Sequence, residues 1–313
     1  MTLARAAGKV IVFGEHAVVY GHPAVAVPVM QVQAQAEVEG APAGKGITIV
    51  AEDLGRSWSL SQKAVSGSHE EALETIIAQT LARIGVGLGQ DLTINVRSTI
   101  PIARGLGSGA AISTAIVRAL CKHYDKSLSS QEISDLVYEA EKIYHGTPSG
   151  VDNTVIAFEK PVYFIKGRDV EVFRVGRSFI LAIADTGLSS STKVVVDEVR
   201  RAWHKEPARY EKLFSAIGQL AQAGRQAIEK GDLEKIGRLM DENQALLEAL
   251  GVSCLELDRL IQAARESGAL GAKLSGAGRG GNIIALVTPE ARGRADMMLR
   301  KAGARDVIIT EVR

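Results

Sequence analysis

Four short segments carry residue types that do chemistry, set in glycine or in otherwise apolar sequence. Pro101-Ile-Ala-Arg-Gly-Leu-Gly-Ser-Gly-Ala-Ala111 follows an apolar alternation and opens a helical pattern. The first N–H groups of a helix lack internal partners. Glycine lets a backbone approach a ligand closely, and the helix dipole favours an anion there. The segment is therefore a candidate for holding an anion. The segment has neither the Walker nor the Rossmann spacing, and a tight turn with small residues for close helix packing explains the same letters. Gly8-Lys-Val-Ile-Val-Phe-Gly-Glu-His-Ala-Val-Val-Tyr-Gly-His-Pro23 sets Lys9, Glu15 and His16 into a buried strand-and-turn pattern. Such groups are costly to bury unless paired or functional. Singly, Lys9 also reads as a solvated strand end and His16 as a hydrogen-bonded structural histidine.

The third segment is Glu141-Lys-Ile-Tyr-His-Gly-Thr-Pro-Ser-Gly-Val-Asp-Asn153. Glu141 falls near the end of a helix, and a loop with two glycines and Pro148 then carries Asp152. Two carboxylates around such a loop suit one metal ligand and one base or orienting group. A surface residue and a cap would explain them one at a time. The fourth, Lys273-Leu-Ser-Gly-Ala-Gly-Arg-Gly-Gly-Asn282, lies between two strand patterns. Its glycines imply positive φ angles or close backbone contact, in a phosphate site or in a structural turn.

The elements that must position these segments are visible in the hydrophobic periodicity. Val10 to Phe13 is short and apolar, Val32 to Val38 alternates with period two, and Leu92, Ile94 and Val96 do the same, so all three read as strands. A helix lies between, with Leu73, Ile76, Ile77, Leu81 and Ile84 on one face and Ser68 and Glu71 at capping-box spacing. Ile112, Ile116 and Leu120 predict a helix from Ser108 to about Tyr124. A second helix follows, with Ser129 and Glu132 at its start. Strand patterns return at Val162 to Ile165 and Phe179 to Ala184. After Asp185, three or four helical stretches run to Ser267, then strand, strand, helix and strand to Val312. The expected fold class is α+β. The texture change gives an expected N-terminal domain of 1–184 and a C-terminal domain of 185–313, the last strand being able to return to the first.

Composition sets the frame. The chain has 313 residues, 46% apolar and 23% charged, as in ordinary globular proteins of about two domains. Lys and Arg number 37 against 36 Asp and Glu, a net charge of +1 that gives no general pull toward nucleic acid or a membrane surface. With aromatics at 4%, stacking platforms for single strands are not expected either. Two cysteines, Cys121 and Cys254, cannot build a disulfide framework, so a reducing cytoplasm is the expected setting. Lys9, Glu15 and His16 interrupt any signal-peptide core, and no apolar run reaches the ~20 residues of a membrane helix.

Taken together, in their order and wording, the four segments resemble the family of galactokinase, homoserine kinase, mevalonate kinase and phosphomevalonate kinase, from Lys9 to the final strand. Gly14-Glu-His-Ala-Val-Val-Tyr-Gly21 and His145-Gly-Thr-Pro-Ser-Gly-Val-Asp-Asn153 are similar to its mevalonate-phosphorylating branch. The resemblance implies a two-domain architecture: a mixed-sheet N-terminal domain with helices, and a C-terminal domain of helices and antiparallel, ferredoxin-like sheet. It implies transfer of the ATP γ-phosphate to the primary hydroxyl of mevalonate. Arg104 to Ala110, with Ser275, Gly276, Ala277 and Gly278, would hold ATP. Ser108 and Glu141 would sit around Mg²⁺. Asp152 would face the substrate hydroxyl as base with Lys9 beside it, and Glu15, His16 and Thr192 would contact substrate. A homodimer is the family's implied state. Many relatives carry a second serine, a metal ligand, where this chain has Gly109, so either Ser108 or a water takes that place. Sibling alcohol kinases and a non-catalytic ligand sensor are the competing readings. Lys9, Glu141 and Asp152 together argue against the sensor, which needs no proton-handling pair.

Overall fold

In a computed structural model, residues 1–60, 65, 68–101, 104–146 and 148–313 are described, Tyr144 and His145 by backbone alone. Ile102 and Ala103 of the glycine loop, Thr147, and the side chain of His145 therefore lie outside the described residues. In chain order the elements begin with β1 (Thr2–Phe13), β2 (Ala24–Gly40), β3 (Ile47–Ala51), β4 (Arg56–Ser59), α1 (His69–Arg83), β5 (Leu92–Ser98), α2 (Ser108–His123) and α3 (Ser130–His145). They continue with α4 (Val151–Phe158), β6 (Val162–Phe164), β7 (Glu171–Val172), β8 (Phe179–Asp185), α5 (Thr192–Lys205), α6 (Pro207–Lys230) and α7 (Leu233–Ala249). The last are α8 (Leu255–Glu266), β9 (Gly271–Ser275), β10 (Asn282–Val287), α9 (Arg292–Lys301) and β11 (Asp306–Val312).

The chain divides into two compact units, each discontinuous: Met1–Gly8, Val32–Pro101 and Gly107–Glu159 form one, and Lys9–Gln31, Ile102–Leu106 and Lys160–Arg313 the other. In the first, β5 is central to a mixed sheet. It pairs in parallel with β3, Ile47 opposite Leu92, and antiparallel with β2, Val38 opposite Ile94. β4 adds antiparallel to β3. Leu92, Ile94 and Val96 are buried while Thr93 and Asn95 are half-buried, the alternation a one-faced strand requires. α2 packs against β5, α1, α3 and α4. Ala110, Ala111, Ser113, Thr114, Ala115 and Ala119 are buried along it together with Ile116, Val117 and Leu120, so it is buried nearly all round, with small residues on much of its surface. Ser68 caps α1 by accepting from the Glu71 N–H, and Ser129 and Glu132 form a complete capping box on α3. Those hydrogen bonds hold the Glu132 carboxyl down at about 2.

The second unit holds a four-stranded sheet in the order β11-β8-β10-β9, antiparallel throughout. Helices α5 to α8 fall between β8 and β9 in sequence and α9 between β10 and β11, the ferredoxin-like arrangement. Leu181, Ala182, Ile183 and Ala184 of β8 are all buried. Phe214, Ile217, Leu247, Leu257, Leu260, Leu274 and Ile283 belong to the buried core cluster beneath the helices. α7 approaches the start of β9 at backbone distance: a Cβ at Gly237 would fall 2.2 Å from the Leu270 carbonyl oxygen. β6 pairs with the first residues of β2, and β7 with β6. Cys121 and Cys254 are free thiols. Among the described residues no helix is long and apolar enough to cross a membrane.

Candidate functional site

The first unit sets a helix start, a glutamate and an aspartate. Gly107 precedes α2 with a φ of 76°, a left-handed conformation that costs glycine little and other residues more. Ser108, Gly109 and Ala110 form the first turn, whose N–H groups have no partners inside the helix. Glu141, on α3, is 8% exposed. A Cβ built at Gly109 would stand 3.1 Å from its Oε1. The carboxylate thus lies against the start of α2, where the dipole favours negative charge. A serine there would crowd it; glycine leaves the room.

Asp152 is not on a loop, as its glycine-bounded context suggested, but in the first turn of α4. Gly150, at φ 92°, turns the chain into that helix, and the Ser149 hydroxyl accepts from the Val151 N–H at 3.3 Å. Val151, Val155 and Ile156 are buried beneath it. The neighbours of Asp152 fasten α4 to α3: Asn153 Nδ2 donates to the Ser134 carbonyl at 3.1 Å and to its hydroxyl at 2.9 Å. Thr154 Oγ1 donates to the Gly150 carbonyl at 2.6 Å. Asp152 itself is half-buried.

In the second unit, Lys9 is buried on β1, and its N–H donates to the Leu106 carbonyl at 3.0 Å. The turn after β1 needs Gly14, at φ 101°, because a Cβ there would come 2.5 Å from the Ala24 Cα. His16 follows at φ 61°. Its Nε2–H donates to the Ala277 carbonyl at 2.8 Å, which leaves Nδ1 as an acceptor in the neutral ring. Burial pushes the His16 pKa down, toward that neutral form.

Glu15, expected to contact substrate, lies in the interior. Its Oε1 accepts from Lys273 Nζ, both side chains having no exposed surface, while Oε2 is buried without a hydrogen-bond partner among the described residues. Lys273 Nζ also donates to the Leu274 carbonyl at 2.6 Å. Burial pushes the Glu15 carboxyl up and the Lys273 ammonium down; their mutual attraction opposes both shifts, and the charge of Lys9 adds to the hold on Glu15.

Ser275 spends its hydroxyl on β1, accepting from the Ile11 N–H at 3.2 Å and donating to the Ile11 carbonyl at 2.9 Å. The turn it opens runs through Gly276, at φ 101°, Ala277 and Gly278, at φ 85°. Ser190 Oγ donates to the Gly278 carbonyl at 2.7 Å, and Thr186 Oγ1 to the Gly281 carbonyl at 2.9 Å, so the strand-to-helix connection before α5 is stapled to this turn. Thr192, the first residue of α5, is exposed. Gly105 sits on the turn, where a Cβ would stand 3.6 Å from the Ser275 carbonyl oxygen. Arg104 is held by Asp185, Nε to Oδ2 at 3.2 Å.

Two residues escaped sequence reasoning. Lys273 was only the first letter of a glycine motif, although a lysine inside the strand pattern Gly-Ala-Lys-Leu-Ser is itself a signal that a counter-charge is near. Asp185 marked only the change of texture between the two expected domains.

The family models for the GHMP kinases N-terminal domain and GHMP kinases C-terminal match residues 71–160 and 225–304. A mevalonate kinase of Pyrococcus abyssi is 34% identical, covering 93% of this chain and 90% of its own. One of Aeropyrum pernix is 37% identical, covering 90% of this chain and 87% of its own. The crystal structure of L. major mevalonate kinase in complex with R-mevalonate superposes with a TM-score of 0.84 at 27% identity, covering 100% of this chain and 96% of that one. The chain belongs to the GHMP kinase family.

Proposed function

We propose that this protein transfers the γ-phosphate of ATP to the primary hydroxyl of mevalonate. One observation carries the reading in this chain: a glycine-started helix with a buried carboxylate against its first turn, beside a helix whose own first turn presents Asp152. Relatives named mevalonate kinase, one of them solved with R-mevalonate, supply the substrate. Phosphoryl transfer asks the protein for positioning, charge neutralisation and help with the hydroxyl proton.

The backbone from Gly105 to Ala110 holds the phosphates. Gly276 to Gly278 shape the nucleotide side, with Ser275 fixing their turn through β1. Asp152 takes the proton of the attacking hydroxyl, and Lys9 brings positive charge to the developing alkoxide. His16 offers Nδ1 to a substrate hydroxyl, and Thr192 stands at an exposed helix start within reach of solvent. Glu15 acts through its ion pair, holding the turn that carries His16. The donor set at the start of α2, a buried glutamate carboxylate and a serine hydroxyl, is of the hard oxygen type that suits Mg²⁺. Glu141 and Ser108 would hold it, and bound Mg²⁺ supplies charge neutralisation to the phosphates. The test is ATP consumption with mevalonate, galactose, homoserine and phosphomevalonate side by side. The reading requires the highest kcat/KM with mevalonate; a higher value with any of the others replaces it.

A further inference from the structure

The turn between β9 and β10 needs its glycines for steric reasons. A Cβ at Gly278 would stand 2.0 Å from the Val252 carbonyl oxygen, and one at Gly280 would stand 2.8 Å from that of Leu188. Between them sits Arg279, at a φ of 55°. Left-handed backbone is uncommon outside glycine, and asparagine and aspartate are the usual exceptions. Arginine gains nothing from its backbone there, so the outlier directs attention to the side chain. That side chain ties the turn to two helices. Its Nε and Nη2 each donate to the Gly251 carbonyl at 3.3 Å, just past the end of α7, where the helix dipole favours a cation. Its Nη1 donates to Glu198 Oε2, in the second turn of α5. The Arg279 N–H donates separately to the Val252 carbonyl at 2.8 Å, so the backbone is anchored without the guanidinium.

Little else holds the start of α5. Of its 14 residues only Val195 and Val199 are buried, and its N-cap Ser191 makes no side-chain cap hydrogen bond. Thr192, Lys193 and Val194 are exposed. The connection before the helix is pinned to the glycine turn at Thr186, Leu188 and Ser190. The Arg279–Glu198 pair carries that fastening into the helix itself. Its side chains are 44% and 34% exposed, so it adds little to global stability. Arg201, 4.0 Å from Glu198 Oε1, keeps that carboxylate compensated when Arg279 is removed. We infer that Arg279 is a positioning residue: through Glu198 it latches α5 to the glycine turn and so sets where the start of that helix, with Thr192, stands. The inference rests on the proposed kinase reading for the ligand concerned, since that reading puts Thr192 on the mevalonate side and the turn on the nucleotide side.

Arg279→Gly isolates the latch, because glycine takes the left-handed φ freely and the backbone bond to Val252 stays. Hydrogen exchange and steady-state kinetics are measured on this variant, on Glu198→Ala and on the double variant, with thermal melting as the check on folding. The inference expects normal melting and exchange at the amides of residues 196–200 faster by about fivefold, the scale of a half-exposed ion pair. The mevalonate KM rises by about the same factor, while kcat and the ATP KM stay within about twofold because the turn keeps its backbone bonds. Glu198→Ala gives the same pattern, and the double variant adds little to either single one. Unchanged exchange in α5 overturns the inference, whatever the substrate is. Faster exchange with an unchanged mevalonate KM, or with both KM values raised alike, overturns the positioning role. Additive effects of the two substitutions overturn the pairing. Should Arg279→Gly fail to fold, Glu198→Ala decides by the same two readings. The kinase reading fails separately, on the wild type alone, if that protein does not phosphorylate mevalonate; the exchange measurement still judges the latch.

Discussion

Replacing Lys273 with methionine removes one half of an ion pair whose two side chains are wholly buried. The methionine fills a similar volume, so the loss is electrostatic: Glu15 stays in the interior, with only a local backbone hydrogen bond and the charge of Lys9 to hold it ionised. Removing one partner of a buried pair costs about 3–5 kcal/mol, because the other is left uncompensated. That cost depends on pH. Burial already raises the Glu15 carboxyl above its value near 4.5, and losing Lys273 raises it further. A raised folded value means stability is fully retained below the unfolded value and lost as pH rises through the folded one, at up to about 1.4 kcal/mol per pH unit. Urea unfolding at pH 5 and pH 8 therefore shows a deficit that is larger at pH 8. Adding Glu15→Gln to the variant restores most of the loss at pH 8, since the uncompensated buried carboxylate is then gone. A Lys273→Met protein within about 1 kcal/mol of wild type, or one with equal deficits at the two pH values, refutes the reasoning.

Glu141→Gln keeps the shape of the side chain but not its charge, so the Mg²⁺ concentration for half-maximal activity rises about tenfold or more; a titration of activity against Mg²⁺ reads this. Gly107→Val forces a β-branched residue into a left-handed φ at about 1–2 kcal/mol, and the ATP KM rises roughly tenfold with circular dichroism unchanged. Gly237→Ala drives a methyl to 2.2 Å from the Leu270 carbonyl oxygen, and urea unfolding shows about 1–3 kcal/mol of overpacking strain, with no selective change in ATP binding.

Local rules made much of the architecture legible. The Ser129–Glu132 box depends on neighbours a turn apart, and α3 starts where that spacing puts it, while the helical stretches expected between Asp185 and Ser267 are α5 to α8. The alternation from Val32 to Val38 marks only part of β2, which runs from Ala24 and contains Pro28. β2 nevertheless continues through it, since its pairing with β6 ends at Ala26 and that with β5 begins at Ala34. The short strands β3 and β4 carry too few residues for a pattern to show. In the candidate site, Gly105 and Gly107 were readable because a positive φ or a close approach leaves a direct mark on residue type. Asp152 was placed in the right segment but on the wrong local structure, because α4 is only 8 residues long and starts at a glycine. Lys273 escaped because its partner is 258 residues away, and no window along the chain joins them.

The claim that Asp152 handles the proton of the attacking hydroxyl is met most directly by steady-state turnover of Asp152→Asn with mevalonate, with ATP binding measured by calorimetry on the same preparation. Asparagine preserves the volume and the place in the first turn of α4 but cannot accept the proton. The account predicts turnover lower by about 100-fold or more with ATP affinity essentially unchanged. Near-normal turnover in that variant would contradict it.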